Sequence, residues 1–157
     1  MIYCVGVDCS TKGYHAIVLN HEGFFVGGNT FVSISENDVQ RMCEIADAFR
    51  TDLYVFDHHV NDPARDIIIV TEGPIYVQNV KVTLKIARSV FGIQTTGWPE
   101  QHFTIDNKAW KKDILGNGNA TKDDIKQFAM AKWAQKLDKQ DFCDAACIAL
   151  WGVRRFG

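Results

Sequence analysis

The segment from Asp141 to about Val153 constrains the fold more than any other, because it has helical length and is apolar on nearly every side. Its first half contains Phe142, Cys143, Ala145, Ala146, Cys147, Ile148, Ala149 and Leu150. A helix that is apolar all round is buried against the body of its protein. The rest of the chain must therefore supply a large surface for this helix to cover.

Length and composition limit that body to a single domain over 1–157. The chain has 157 residues, of which 46% are hydrophobic, enough for one sheet and several covering helices. Its five cysteines form no CxxC pair, it begins with no secretory segment, and no apolar run approaches the roughly 20 residues of a membrane helix. We expect a cytoplasmic protein with reduced thiols and no membrane partner.

The formal net charge of −2 argues against a protein that coats nucleic acid by bulk attraction. It does not argue against a nuclease. Several carboxylates in one site lower the formal charge, and the cations that they recruit reverse the local field where a phosphate must lie.

Hydrophobic periodicity predicts an α/β fold with a mixed sheet. Strands are predicted at 2–7, 14–19, 24–27 and 67–71, with another between Ile93 and Phe103 that is interrupted at 97–99. The first three strands form an antiparallel meander. Helices are predicted from Ser35, as N-cap, to about Phe49, and at 76–91, at 106–115, from Thr121 onward and at 141–153. Residues 51–66 show no sustained period and are predicted to be a surface connection.

Two acids on the final helix indicate a site. Asp141 and Asp144 are three residues apart, so their side chains share one face, about 5 to 6 Å apart at Cβ. A buried helix does not place two acids on a packed face without something to neutralise them. The alternative is local: Asp141 as N-cap and Asp144 as a first-turn acid that the helix dipole favours.

Two further acids follow predicted strands. Asp8 follows the first strand and Glu72 follows the central one, and adjacent strands of one sheet would bring both to the same edge. Four like charges that converge need cations, and oxygen ligands without Cys or His select Mg²⁺ or Mn²⁺ over zinc. Two such ions about 3.5 to 4 Å apart would clamp the attacking and leaving oxygens of a phosphoryl displacement.

Helix 76–91 has two apolar faces. Tyr76, Val80, Leu84, Ala87 and Phe91 lie on one, and Val77, Val82 and Ile86 partly fill another. One face would cover the sheet. The other is the candidate interface of a homodimer, or is buried under the 51–66 connection.

The order of these motifs resembles the RNase H-like superfamily and specifically RuvC, the family of Holliday-junction resolvases. Residues 6–8 resemble its first motif, 70–72 its second, and 141–149 its terminal D-x-x-D-A helix. The segment 111–122 resembles the resolvases' K-x4-G-x-G-x-A-x-K pattern in both residues and spacing. The resemblance covers most of the chain and implies a central five-stranded mixed sheet covered by helices.

The resemblance also implies an activity. It is that of a crossover junction endodeoxyribonuclease, a homodimer that nicks four-way or branched DNA in recombination and repair and leaves 5′-phosphate and 3′-hydroxyl ends. Asp8 would bridge two Mg²⁺ ions, Glu72 would hold the leaving-group ion, and Asp141 with Asp144 would hold the ion that activates water. Mn²⁺ would substitute for Mg²⁺. The compact chain is similar to phage-encoded resolvases. A viral protein located in the host cytoplasm is therefore an alternative.

Basic and aromatic residues would contact the DNA. Lys111 and Lys122 would hold phosphates or steady charge at the cut, whereas the alternative is ordinary surface charge. Lys12 and Lys112 are further candidates. Tyr76 would stack on a base near the crossover, or is a core residue of its helix.

Three other functions compete with the resolvase. The stretch 8–13 resembles the phosphate loop of sugar-kinase and actin-like ATPases, but that fold needs two such domains. A nuclease acting on RNA–DNA hybrids or structured RNA has the same four acids, and a non-catalytic binder of branched DNA would not need them.

Weaker motifs have simpler interpretations. Residues 57–59 match the DHH motif of a phosphoesterase family, but the acidic motifs that accompany it in that family are missing upstream. Cys143 and Cys147 are expected in the core, as are Trp110 and Trp133.

Overall fold

The computed structural model describes residues 1–10, 12–59, 66–73, 80–95, 101–133, 137 and 139–157. Its elements in chain order are β1 (Ile2–Cys9), β2 (Gly13–Asn20), β3 (Phe25–Val32), α1 (Asp38–His59), β4 (Asp66–Glu72), α2 (Val80–Gln94), β5 (His102–Ile105), α3 (Asn107–Leu115), α4 (Lys122–Trp133) and α5 (Gln140–Phe156).

The strands form one five-stranded sheet in the order β3-β2-β1-β4-β5. The β1–β2 and β2–β3 pairs are antiparallel, whereas β4 lies parallel to β1 and β5 parallel to β4. This confirms the predicted mixed sheet, with a three-strand meander and parallel strands. β3 extends beyond the predicted 24–27.

The sheet has a hydrophobic core on each face, because successive side chains of a strand point to opposite sides. On one face, Val5 and Val7 of β1 are buried with Phe49 and Leu53 of α1. On the other face, Cys4, Ile17 and Val70 are buried with α3, α4 and α5; the α5 members of that cluster include Ala145, Ala146, Cys147, Ile148, Ala149 and Leu150. The prediction that the final helix is buried is confirmed.

Helix α5 lies directly on β1 because Gly6 has no side chain. A Cβ atom at Gly6 would lie 2.1 Å from the carbonyl oxygen of Ala145 and 2.3 Å from the backbone nitrogen of Ala149. Farther along α5, a Cβ atom at Gly152 would lie 3.3 Å from Sγ of Cys4. The helix therefore runs antiparallel to β1, and its N-terminal turns lie at the end of β1 that carries Asp8.

The prediction of a surface connection at 51–66 is wrong for its first part, because α1 continues to His59. Phe49 and Leu53 are 1% and 3% exposed, so the apolar face of the helix continues past residue 51. The predicted N-cap is also wrong. Oδ1 of Asn37, rather than Ser35, accepts hydrogen bonds from the first backbone N–H groups of α1. Residues 60–65 lie outside the described residues.

Two other boundaries differ from the prediction. α2 ends at Gln94 with Ile93 buried on it, so β5 starts only at His102; 97–99 lie outside the described residues. α2 is described from Val80 onward, and the predicted helix residues 76–79 lie outside.

The predicted starts of α3 and α4 are confirmed by their caps. Oδ1 of Asp106 accepts from the backbone of Lys108 and Ala109. Thr121 and Asp124 cap α4 reciprocally, since the Thr121 N–H donates to Asp124 Oδ2 and the Asp124 N–H donates to Thr121 Oγ1.

All five cysteines are free thiols, and Cys143 and Cys147 are buried in the core as expected. Trp110 and Trp133 are core residues too. Among the helices that the structure describes, none combines the length and the apolarity needed to cross a membrane.

Candidate active site

The sheet register brings two carboxylates and a histidine to one edge. Asp8 pairs with His15 across the β1–β2 hairpin. In the parallel β1–β4 pair Val7 lies beside Thr71, so the next residues, Asp8 and Glu72, lie side by side near the ends of their strands. Because side chains alternate along each strand, all three point to the face covered by α5.

Helix α5 adds two carboxylates over this edge. It begins at Gln140 and Lys139 occupies the N-cap position, so Asp141 lies inside the first turn and is not the N-cap. Oδ2 of Asp141 lies 3.3 Å from Nε2 of His15. Gln140 donates a hydrogen bond of 3.2 Å to Oδ1 of Asp144.

Electrostatics shows that the four acids share one site. Burial, together with the negative charges of Asp144, Glu72 and Asp141, raises the pKa of Asp8 from 3.8 to about 7, against the opposing charge of Lys122. The other three carboxylates are therefore close enough to Asp8 for their charges to act on it. The side chains predicted from separate motifs therefore converge.

The pKa of Asp144 is also shifted by charged residues of this site. Burial and the charge of Glu72 raise its pKa, whereas the Gln140 hydrogen bond and the charges of Lys122 and Lys111 lower it, and the net result is a pKa of about 6. Lys111 and Lys122, at the two ends of the 111–122 segment, are thus close enough to the acids to act on them.

The turn between α3 and α4 explains the spacing of that segment. Gly116 ends α3 with a φ of 77°, a left-handed conformation that suits glycine. Ala120 is buried, and Thr121 caps α4 so that Lys122 is its first residue. The helix end, turn and cap return the chain toward the acids and bring Lys122 to the side of the site where Lys111 lies.

Glu72 is held by two donors from α3. Nδ2 of Asn107 donates to Oε1 at 2.8 Å, and the indole Nε1 of Trp110 donates to Oε2 at 3.1 Å. Sequence reasoning placed Trp110 in the core and gave Asn107 no role.

Two other predicted DNA contacts are exposed side chains. Lys12 is exposed in the β1–β2 turn and Lys112 is exposed on α3. Tyr76 lies outside the described residues.

Sequence reasoning missed His15 as well as Asn107. The strand pairing contained a signal for His15, because a tight β1–β2 hairpin places it opposite Asp8. Asn107 has no comparable signal, since it meets Glu72 only through the packing of α3.

The donors fit a hard divalent cation in type and charge. They are carboxylates, which Mg²⁺ and Mn²⁺ prefer, and the pKa of Asp8 is raised first by burial and then by neighbouring negative charge that a cation would neutralise. Among the described residues no three His, Cys, Asp or Glu side chains already surround a common point.

Comparison with solved structures identifies the fold. A Thermus thermophilus RuvC structure matches with a TM-score of 0.72, covering 94% of this chain and 91% of that one, at 13% identity. The chain has the RuvC fold. T. thermophilus RuvC in complex with a Holliday junction substrate matches with a TM-score of 0.74, covering 96% and 92%, also at 13% identity.

The RuvC fold, an RNase H-like fold, confirms the predicted architecture over most of the chain. No family model matches the sequence, and no curated protein matches it. At 13% identity the likeness to RuvC is one of fold, and the chemistry of the site depends on the residues of this chain.

Proposed function

We propose that this chain is a metal-dependent endonuclease that nicks four-way or branched DNA, a crossover junction endodeoxyribonuclease of recombination and repair. The observation that carries the proposal is the convergence of Asp8, Glu72, Asp141 and Asp144 at one edge of a RuvC fold. One of the matching RuvC structures holds a Holliday junction substrate, which supports branched DNA as the substrate class.

The four carboxylates would hold two Mg²⁺ ions, with Mn²⁺ as a substitute. When bound, such ions activate a water molecule and stabilise charge on the attacking and leaving oxygens, leaving 5′-phosphate and 3′-hydroxyl ends. Burial, together with the charges of all three other carboxylates, raises the pKa of Asp8. This makes it the ligand whose loss should harm the site most.

The lysines would supply positive charge near the cut, although the formal net charge of the chain is negative. Lys122 and Lys111 both act on Asp144, so a phosphate beside the acids would lie within their reach. Lys12 and Lys112 would contact the DNA backbone, and Tyr76, which lies outside the described residues, would stack on a base near the crossover.

Helix α2 would form the dimer. Its face toward solvent carries Val80, Leu84 and Phe91, which are 60%, 52% and 63% exposed. Three large apolar side chains along one exposed helix face are typical of an interface. A twofold-related pair would present two sites to one junction, as paired nicking requires.

Cleavage of a substrate panel tests the proposal. Labelled four-way junction, replication fork, linear duplex and RNA–DNA hybrid are incubated with the protein in Mg²⁺, in Mn²⁺ and in EDTA. Metal-dependent nicks in the junction or fork support it. Cutting of the hybrid alone would instead favour an RNA-directed nuclease, and binding of junctions without any cutting would favour a branched-DNA binder.

A further inference from the structure

The first turn of α3 holds Glu72 by both carboxylate oxygens. Asn107 donates to Oε1 at 2.8 Å and Trp110 donates to Oε2 at 3.1 Å. We propose that Asn107 and Trp110 are positioning residues that orient Glu72 toward a divalent cation. This inference rests on the proposed function, because it takes Glu72 to be a metal ligand.

Burial makes the Trp110 contact specific. The residue is 1% exposed, so its indole N–H has no access to bulk water and needs a protein acceptor. The acceptor is Glu72, at the end of another element of the fold. A tryptophan that only filled the core would not need to aim its one polar atom at a carboxylate of the site.

The placement of α3 is fixed independently of these two contacts. The Gly73 N–H donates to the carbonyl of Ile105 at 2.8 Å, which joins the end of β4 to the end of β5. Asp106 then caps α3 immediately. Asn107 and Trp110 are three residues apart on that helix and so face Glu72 together.

Both hydrogen bonds leave Glu72 able to bind a cation. A carboxylate has about four lone-pair positions, and two donors occupy one on each oxygen. The remaining positions are held in a fixed orientation instead of rotating freely. Partners of this kind typically contribute about 10- to 100-fold to metal affinity.

Trp110 also lies between Glu72, which would bind the metal ion, and Lys111, which would bind phosphate. Nζ of Lys111 lies 5.6 Å from the centre of the Trp110 ring. One rigid side chain thus contacts both Glu72 and Lys111, whose charge acts on Asp144.

Calorimetric titration with Mn²⁺ in the absence of DNA tests the proposal. The variants are Trp110→Phe, which removes the indole N–H and keeps a ring, and Trp133→Phe as the matched control. Trp133 is also buried and donates to a carbonyl, that of Gly23, at 2.9 Å. Asn107→Ala tests the second donor and decides the question if circular dichroism shows Trp110→Phe to be unfolded.

We expect wild type and Trp133→Phe to bind Mn²⁺ equally, and Trp110→Phe and Asn107→Ala to bind at least about tenfold more weakly. Wild-type affinity in both α3 variants would overturn the positioning role and leave the proposed function standing. Absence of Mn²⁺ binding by the wild type would overturn the metal site itself, and the positioning role with it.

Discussion

Nε2 of His15 lies 3.3 Å from Oδ2 of Asp141, so a strand residue outside the four acids contacts one of them directly. Nδ1 of the same ring is 3.1 Å from Oγ1 of Thr30. The imidazole is thus held between β3 and α5, with its side chain 17% exposed. An outer partner of this kind orients a metal-binding carboxylate.

His15→Ala should therefore slow junction cleavage about tenfold while leaving the fold intact. His15→Gln, which keeps a polar donor, should recover part of the rate. The measurement is single-turnover cleavage with circular dichroism of each variant. His21→Ala is the control, because His21 is exposed in the β2–β3 turn. A wild-type rate in His15→Ala would remove His15 from the site.

Asp8→Asn should stabilise the metal-free protein at neutral pH. The folded-state pKa of Asp8 is about 7 against 3.8 for an ordinary aspartate, so its ionisation costs folding free energy, about 1.4 kcal/mol per pKa unit before relaxation. That cost is absent below about pH 4, grows as the pH rises to about 7, and is complete above it.

Thermal unfolding in EDTA measures this effect. The wild-type Tm should fall between pH 5 and pH 7.5, whereas Asp8→Asn should show a smaller fall and a Tm several degrees higher at pH 7.5. Asp123→Asn, at an exposed position in the first turn of α4, should not raise the Tm. A lower Tm for Asp8→Asn at pH 7.5 would mean that Asp8 stabilises the fold.

Much of the fold could be predicted because its signals are local. The buried run 67–71 and the caps at Asp106 and Thr121 depend on a few adjacent residues, and they were predicted with small errors. The second half of α1 is not predicted because acidic and histidine residues interrupt the apolar pattern that would indicate a helical face. That face is stabilised by packing on the sheet, which no short window contains.

The site divides in the same way. The four acids and Lys111 and Lys122 belong to short motifs, and the structure brings them together. Asn107 and His15 contact the acids only through strand register and helix docking. The β1–β2 hairpin contains a local signal for His15, whereas the contact of Asn107 depends on residues far away in sequence, so composition and spacing could not reveal it.

Lys122→Ala should slow cleavage more than it weakens binding. Lys122 acts on both Asp8 and Asp144, which places its charge at the acids, and the loss of such a charge costs about 100-fold in rate. Cleavage rate and junction affinity are measured for Lys122→Ala and for Lys126→Ala, one turn farther along α4. Equal cleavage rates in the two variants would mean that Lys122 is an ordinary surface charge.

Leu84→Glu should produce a monomer that no longer makes paired cuts. Leu84 is 52% exposed on the apolar face of α2, and a charge there would be buried in a dimer. Sedimentation velocity measures the oligomeric state. Ile34→Glu is the matched control, since Ile34 is a fully exposed apolar residue that does not belong to α2. A dimer that persists in Leu84→Glu, or a monomeric wild type, would place the interface elsewhere or remove it.

The most direct test compares wild type and Asp8→Asn on one labelled four-way junction, with binding and cleavage followed in the same samples in Mg²⁺. The account predicts paired nicks by the wild type and none by Asp8→Asn, which should bind the junction as tightly or more tightly because a charge that repels phosphate is gone. Retained cleavage by Asp8→Asn, or no cleavage by the wild type in Mg²⁺ or Mn²⁺, would contradict it.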